Sequence, residues 1–582
     1  MNLDPKIKSK VNNWLEGDYD EQTKSTLREL VAQEKTNELT DAFYKDLEFG
    51  TGGLRGIMGV GSNRINKYTI GSATQGLSNY LKKQFPDEQI KVAIAHDNRN
   101  NAEFFAQTAA DIFSANGIHV YFFEGLRPTP ELSFAIRELG CQSGIMLTAS
   151  HNPKEYSGYK VYWSDGGQVV TPHDKGIIAE VNAIQSNDAI KFEGNPGLIE
   201  SIGEKIDKLF IESVLAASIN PGVVKQEKDL KIVYSPIHGA GVDLVPRALK
   251  ELGFTNVSLV KEQLVTSGDF PTVVYPNPEE KEALTLALKL AKEKDADLVM
   301  ATDPDADRVG IAVKNNEGEH VLLNGNQTGT LIFNYLIGQW KEQGKLDGNE
   351  YIAKTIVTTN LIDEIAEANG VTCYNLLTGF KYIGALMTKL EGKETYIAGA
   401  EESYGYLIGD HVRDKDAVVA CNIIAEMAAY YKHEGKTLYQ TLQEIYVKYG
   451  FYKEELISLT KGGKKGAEEI SELMQGYREN PPQELGGKKI VRVKDYQTSK
   501  AYSFDGKAET TIDLPKSNVM QFLTEEGYVI TARPSGTEPK IKYYISVNTE
   551  LDSVDNFVAK DAELNALIDD LSKSLLGSDD PG

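Results

Sequence analysis

Gly144-Ile145-Met146-Leu147-Thr148-Ala149-Ser150-His151-Asn152-Pro153 is an apolar run that stops abruptly in a hydroxyl, an imidazole and a turn. A short apolar run followed by Asn-Pro predicts a buried strand and then an enforced turn. A strand that ends in a tight turn presents its next side chain at the sheet edge. Ser150 is therefore expected at the carboxyl end of a strand, where open α/β sheets place their ligands. Ten residues on comes Lys160, in Tyr156-Ser157-Gly158-Tyr159-Lys160. A serine that gives or takes a phosphoryl or acyl group needs its proton managed. A lysine of lowered pKa is one way to do that. A strand-to-turn serine beside a surface lysine is the plainer reading, and the rest of the chain has to choose between the two.

Outward from that stretch the chain alternates strand-like and helix-like segments. Lys91-Val92-Ala93-Ile94-Ala95 reads as a strand that ends in His96-Asp97-Asn98-Arg99, a helix is expected over 102–115, and His119 to Phe123 reads as the next strand. The pattern recurs twice. One block runs from the strand Leu230–Tyr234 through Ser235-Pro236-Ile237-His238-Gly239 to the strand Val257–Val260. The other runs from Tyr351–Val357 into Thr358-Thr359-Asn360. This is the α/β signature, and three blocks suggest three related α/β domains. Residues 8–37 are charged and helix-prone, an expected helical arm. Breaks are expected in the polar stretch 185–197, near 315–318 and in the Gly/Lys- and Pro-rich region 461–488. The strand–loop–strand pattern over 527–547 suggests a smaller α+β domain, and residues 578–582 a solvated tail.

Composition narrows the chemistry. A chain of 582 residues exceeds one core, and 41% apolar with 25% charged residues is a soluble globular balance. A net charge of −23 argues against nucleic acid and anionic membranes as partners, and a small anionic substrate would need local Arg and Lys. Cys141, Cys373 and Cys421 fit neither a disulfide framework nor a metal spacing. The N-terminus has no apolar signal region, and Ala417 to Tyr431, interrupted by Asn422 and Glu426, reads as a core helix rather than a membrane span. A cytoplasmic location is the expectation.

Asp303-Pro304-Asp305-Ala306-Asp307-Arg308 follows the strand Leu298-Val299-Met300-Ala301-Thr302. Three carboxylates at alternate positions in one turn repel each other unless a hard cation neutralises them, and all-oxygen ligation suits Mg²⁺ or Ca²⁺. An EF-hand does not fit, because position six would be Arg308 and position twelve Lys314. Arg533-Pro534-Ser535-Gly536-Thr537 combines an arginine fork, two hydroxyls and a glycine-freed backbone, parts that cradle an unreacting phosphate. Ala400-Glu401-Glu402-Ser403-Tyr404-Gly405 and Thr378-Gly379-Phe380-Lys381 can grip sugar hydroxyls. The glycines of Phe49-Gly50-Thr51-Gly52-Gly53-Leu54-Arg55-Gly56 and of 58–64, around Arg55 and Arg64, suggest a loop where backbone N–H groups and guanidinium forks reach an anion.

Four of these motifs stand in the order seen in the α-D-phosphohexomutase superfamily, and the chain resembles its phosphoglucomutase/phosphomannomutase members along nearly its whole length. The opening Glu48-Phe49-Gly50-Thr51-Gly52-Gly53-Leu54-Arg55-Gly56 resembles the branch of phosphopentomutases and glucose-1,6-bisphosphate synthases. The resemblance implies three related α/β domains with mixed sheets plus a smaller C-terminal α+β domain around one central cleft. Their expected bounds are 1–190, 191–317, 318–460 and 461–582. It implies a phosphohexomutase that interconverts sugar 1-phosphates and 6-phosphates, of glucose or mannose, through a phosphoserine and a bisphosphorylated intermediate. Ser150 would be the phosphoserine and, with Asp303, Asp305 and Asp307, would hold Mg²⁺. Lys160 is the expected acid or base, His151 would order the turn, and Arg55 and Arg308 would lie near the moving phosphoryl group. Thr378, Gly379, Glu401 and Ser403 would meet the sugar, with Lys415 a further candidate. Arg533, Ser535, Gly536 and Thr537 would hold the other phosphate. Glucose 1,6-bisphosphate would serve as activator and intermediate, and the chain would be a monomer or weak homo-oligomer. Phosphopentomutase and bisphosphate synthase stay open within the class, and a non-catalytic sugar-phosphate binder outside it. Ala400 departs from the Gly that many members carry before the two acids.

Overall fold

The computed structural model describes residues 3–50, 52–461, 463–504, 509–535 and 540–577. The chain divides into two compact units. One holds residues 1–324, 380–399 and 403–435; the other holds 325–379, 400–402 and 436–582.

The first unit contains two sheets of one plan. In the first sheet the strand Lys91–His96 lies between His119–Phe123 and Ser143–Leu147, parallel to both. Ser143–Leu147 then pairs antiparallel with Tyr156–Trp163, which pairs antiparallel with Gly53–Ile57. Ile199–Ile202 adds a parallel edge beside His119–Phe123. Val92, Ala93, Ile94 and Ala95 are all buried, the continuous apolar run of a strand covered on both faces. Helix Ala102–Ala115 supplies part of that cover through Phe105, Ala106, Ala109 and Phe113. Helix Thr129–Glu138 comes close enough that a Cβ on Gly144 would lie 2.5 Å from Ile136 Cδ1, so any larger residue on the strand that leads to Ser150 would have to displace Ile136.

The second sheet repeats the arrangement. Ile232–Ser235 runs parallel to Val257–Leu259 and to Leu298–Thr302. Leu298–Thr302 returns antiparallel as Val309–Lys314, followed by His320–Leu323. Ser150 and Asp303 therefore open equivalent loops, each between a parallel strand and its antiparallel return. The N-terminal arm is helical as expected, in three pieces, Pro5–Glu16, Glu21–Ala32 and Thr36–Phe43, packed around Trp14, Leu27, Leu39 and Phe43. Helix Ala417–His433 is a core helix, with Glu426 buried and accepting hydrogen bonds from the Ile219 and Asn220 amides. No helix among the described residues is long and apolar enough to cross a membrane.

The Gly-rich stretch departs from its sequence reading. Gly53–Ile57 is a strand, and pairing with Tyr156–Trp163 uses backbone groups that an anion-binding loop would offer. Arg64 pairs with Asp41 of the helical arm at 2.6 Å, so only Arg55 of the two arginines lies on the strand beside the Ser150 loop.

In the second unit, the parallel strands Glu350–Thr355 and Thr372–Leu376 are linked through helix Leu361–Ala368, a βαβ crossover. An antiparallel sheet follows in the order Phe451–Thr460, Lys540–Thr549, Val529–Pro534, Met520–Thr524, Lys488–Asp495, Lys500–Ser503, Thr510–Thr511. Helix Gly463–Glu479 fills most of the Gly/Lys-rich region, because Ile470 and Met474 give it an apolar side to bury.

Candidate active site

Ser150 sits directly beyond the strand Ser143–Leu147, with a φ of +53°. A non-glycine residue in the left-handed region needs support from its surroundings. Here the Ser150 amide donates to Thr148 Oγ1 (2.8 Å), and the Ser150 carbonyl accepts from Arg99 Nη2 (2.6 Å). Ser150 Oγ donates to Asp303 Oδ2 at 3.0 Å and lies 3.2 Å from His151 Nδ1. Burial, reinforced by the charges of Arg308 and Arg55, keeps the His151 imidazole neutral well below its usual range. Arg55 is an exposed residue and reaches Asn152 Oδ1 at 3.5 Å, so it stands beside the loop.

Asp303, Asp305 and Asp307 are fully buried, and one oxygen of each lies within 4.8 Å of the others. Asp303 Oδ1 accepts the Asp307 and Arg308 amides at 3.1 and 3.0 Å, closing the turn, with Ala306 at its apex at φ +48°. Burial, then the negative charges of Asp305 and Asp307, push the Asp303 carboxyl well up. Asp305 Oδ1 and Asp307 Oδ1 are buried without a hydrogen-bond partner. Two orphaned carboxylate oxygens beside a third acid and a serine hydroxyl are the donor set of a small hard cation, and the residues present fit one.

Two lysines reach the same cluster. Lys160 Nζ lies 2.6 Å from Asp305 Oδ2 and 3.2 Å from Asp307 Oδ2, and Lys415 Nζ lies 3.3 Å from Asp307 Oδ2. Burial opposes the charge on Lys160, but Asp305 and Asp307 outweigh it and hold the ammonium above its ordinary pKa. This reverses the lowered pKa expected from sequence, because the countercharges come from a distant loop. Burial likewise opposes ionisation of Asp307, yet Lys160, Lys415 and Arg308 hold its carboxyl far down. Arg308 donates to Glu279 Oε1 at 2.7 Å, with its Nε 3.8 Å from Asp307 Oδ1. Ser403 is half-buried in the turn before Gly405–Ile408.

The second unit gathers the remaining candidates by itself. Glu401 is buried and accepts the Gly379 amide at 3.0 Å. Glu402 is held by Thr355 Oγ1 at 2.9 Å and Thr358 Oγ1 at 3.4 Å. The Thr378 hydroxyl is buried without a hydrogen-bond partner. Arg533, at the end of Val529–Pro534, hydrogen-bonds the Tyr544 hydroxyl; burial, then the nearby Glu402 charge, raise that phenol above its usual range. The Ser535 amide donates to the Lys540 carbonyl at 2.7 Å. Gly536 and Thr537 lie outside the described residues.

Two functional candidates carry no motif that sequence reading singled out. Arg99 threads beneath the Ser150 loop, and Thr129 touches the acidic loop: its amide donates to the Asp305 carbonyl (2.9 Å) and its hydroxyl to Asp305 Oδ2 (2.7 Å). An arginine two residues past an aspartate at a strand end was the signal for Arg99. Thr129 had none, because its partner is 176 residues away.

Profiles of the phosphoglucomutase/phosphomannomutase α/β/α domains I, II and III match residues 46–188, 208–318 and 324–449. A phosphoglucomutase of Staphylococcus haemolyticus (strain JCSC1435) is 36% identical over 546 residues, 94% of this chain and 97% of its own. One of Staphylococcus aureus (strain MRSA252) is 38% identical over 526 residues, 90% of this chain and 93% of its own. Among solved structures, a putative phosphomannomutase from Thermus thermophilus shares the fold at a TM-score of 0.65 and 22% identity, over 87% of this chain and 96% of that one. The phosphoglucomutase pp63/parafusin from Paramecium, in its open form, shares it at 0.65 and 18%, over 91% and 97%. A serine over a buried aspartate triad, three matched domains and whole-length relatives lead to one assignment: the chain belongs to the phosphoglucomutase/phosphomannomutase family.

Proposed function

We propose that this phosphohexomutase, an intramolecular phosphotransferase, interconverts α-glucose 1-phosphate and glucose 6-phosphate with Ser150 as the phosphoryl carrier. The observation that carries the reading is the 3.0 Å contact between Ser150 Oγ and Asp303 inside the buried acidic cluster. Glucose is preferred to mannose because the two Staphylococcus relatives described above carry the name phosphoglucomutase.

In the forward step, the bond between phosphorus and Ser150 Oγ breaks while a new one forms to the free hydroxyl of the sugar monophosphate. The hydroxyl proton passes to a base, and Ser150 Oγ regains a proton. The sugar bisphosphate turns over, and its other phosphoryl group returns to Ser150 by the same exchange. Asp303, Asp305, Asp307 and the Ser150 oxygen would hold Mg²⁺. When bound, that ion neutralises the moving phosphoryl group and the three carboxylates. Lys160, which Asp305 and Asp307 hold as the ammonium, is the preferred acid–base residue and enters as the proton donor, with Lys415, which meets the same Asp307 oxygen, as the alternative. Neutral His151, its Nδ1 3.2 Å from Ser150 Oγ, would order the turn. Arg55 and Arg308 would steady the phosphoryl oxygens. Thr378, Gly379, Glu401 and Ser403 would grip the sugar hydroxyls, and Arg533, Ser535, Gly536 and Thr537 the unreacting phosphate. We place these roles in four segments, 1–190, 191–317, 318–460 and 461–582, with glucose 1,6-bisphosphate as activator.

Two measurements test this. Ser150→Ala should lower kcat at least about 10⁴-fold, as loss of a nucleophile does; a fully active variant would remove Ser150 from the mechanism. The ratio of kcat/KM for glucose 1-phosphate and ribose 1-phosphate, with Mg²⁺ and catalytic glucose 1,6-bisphosphate, should favour glucose. A clear preference for the pentose would place the chain with the phosphopentomutases, which its Gly-rich opening resembles.

A further inference from the structure

Arg99 is 3% exposed and its guanidinium faces no solvent, yet it makes four hydrogen bonds to main-chain carbonyls of one loop. Nη2 donates to Ser150 O at 2.6 Å and to Asn152 O at 2.5 Å. Nη1 donates to Pro153 O at 2.8 Å and to Tyr156 O at 3.0 Å. The planar fork suits such a ring of acceptors, which an ammonium cannot span at once. The network closes on itself. Asp97 pairs with Arg99 Nε at 3.3 Å and accepts the Arg99 amide at 2.9 Å. Asp97 Oδ2 also accepts Thr148 Oγ1 at 2.6 Å, and Thr148 Oγ1 in turn accepts the Ser150 amide at 2.8 Å. Both main-chain polar groups of Ser150 are thus fixed by one buried ion pair, on either side of a left-handed φ of +53°. Phe270 covers the guanidinium at 5.2 Å, and Asn98 ties the covering segment down through Ser267 O at 2.8 Å.

We propose that Arg99, locked by Asp97, is the positioning residue that holds Ser150 in its strained backbone conformation, so that Oγ returns to one place each time the phosphoryl group leaves and comes back. This rests on the reading of Ser150 as the phosphoryl carrier. Both terminal nitrogens of Arg99 are taken up by main-chain carbonyls, so its removal is expected to act on the transfer step and to spare substrate affinity. A nucleophile displaced by about 1 Å loses on the order of 100-fold in rate.

The experiment compares Arg99→Lys, the double variant D97N/R99Q and Ser150→Ala in the full-length protein with Mg²⁺. The lysine keeps the charge opposite Asp97 but loses the fork. The double variant removes both buried charges together, which avoids the misfolding that a lone buried carboxylate invites. Steady-state kinetics with glucose 1-phosphate are read beside the single-turnover rate of Ser150 phosphorylation by glucose 1,6-bisphosphate, followed by intact mass. All rates are corrected for the folded fraction from near-UV circular dichroism. We expect both Arg99 variants to lose about 100-fold in kcat and in phosphorylation rate, with KM within about threefold of wild type. Arg99 variants with wild-type kcat beside an inactive Ser150→Ala would overturn the positioning role alone. So would a loss that disappears on correction for folding, or one that falls on KM. A fully active Ser150→Ala would instead overturn the carrier reading on which the proposal rests.

Discussion

The Ser150 loop and the Asp303 loop are built on one plan and anchored in opposite ways. Each follows a parallel strand, turns through one left-handed non-glycine residue, Ser150 at +53° or Ala306 at +48°, and returns antiparallel. Beneath the first lies a buried cation, Arg99, with four carbonyls turned toward it. Beneath the second lies a buried carboxylate, Asp303, with the amides of Asp307 and Arg308 turned toward it. In each case the backbone dipoles face a buried countercharge, and that arrangement decides what the loop offers outward. The serine loop has its carbonyl oxygens drawn away from a side chain that would carry a phosphoryl dianion. The acidic loop has its amides occupied, leaving Asp305 Oδ1 and Asp307 Oδ1 without donors, as a cation site requires.

If the anchors are what differ, the largest contrast comes from removing Asp303, which is both anchor and proposed ligand. Asp303→Ala should weaken binding of Mn²⁺, used as a spectroscopic stand-in for Mg²⁺, by more than about 100-fold, since even outer-shell partners are worth 10- to 100-fold. Saturating Mg²⁺ should raise the wild-type unfolding free energy by about 2–3 kcal/mol at a hundred times Kd and leave Asp303→Ala unmoved. Unchanged Mn²⁺ affinity in that variant would end the assignment of the acidic loop to a metal.

A smaller effect separates anchor from ligand. The Thr129 hydroxyl fixes Asp305 Oδ2, so that Oδ1 alone is left for a cation. Thr129→Val keeps the shape and removes the hydrogen bond. We expect about tenfold weaker Mn²⁺ binding, with kcat at saturating Mg²⁺ recovered to within about threefold. A loss of kcat that saturating metal does not recover would mean that Thr129 acts on the chemistry itself.

The two loops also differ from what the sequence alone could disclose. The strands leading to Ser150 and Asp303 were readable because apolar runs and turn residues act locally. Three aspartates at alternate positions were readable because their mutual repulsion is local too. The anchors were not. Arg99 meets Ser150 across 51 residues, and Lys160 meets Asp305 across 145, which is why the lysine's pKa moves up where sequence suggested down. Gly53–Ile57 looked like an open loop because its partner strand lies about a hundred residues on, at Tyr156–Trp163. The Arg533 motif stands out in the sequence for the same local reason as the aspartates, and the structure describes it as far as Ser535.

Compensation differs even between neighbouring acids, since lysines and Arg308 hold Asp307 far down while burial and like charges push Asp303 up, and Glu454 in the second unit sides with Asp303. Its carboxyl accepts Ser546 Oγ at 3.4 Å and a hydrogen bond from Thr359, with Lys354 a more distant countercharge. Burial dominates these and pushes its pKa up to about 7. A carboxyl that binds its proton more tightly when folded favours the folded state at low pH. That contribution is complete below the unfolded value near 4.5 and is lost as pH rises through about 7. Glu454→Gln should therefore leave stability nearly unchanged at about pH 4.5 and raise it at about pH 8 by about 1–2 kcal/mol, after discounting for the solvent that still reaches this side chain. Urea unfolding at the two pH values reads the difference directly. A variant less stable at the higher pH would show that the two hydroxyls and Lys354 compensate the charge as the lysines and Arg308 do at Asp307.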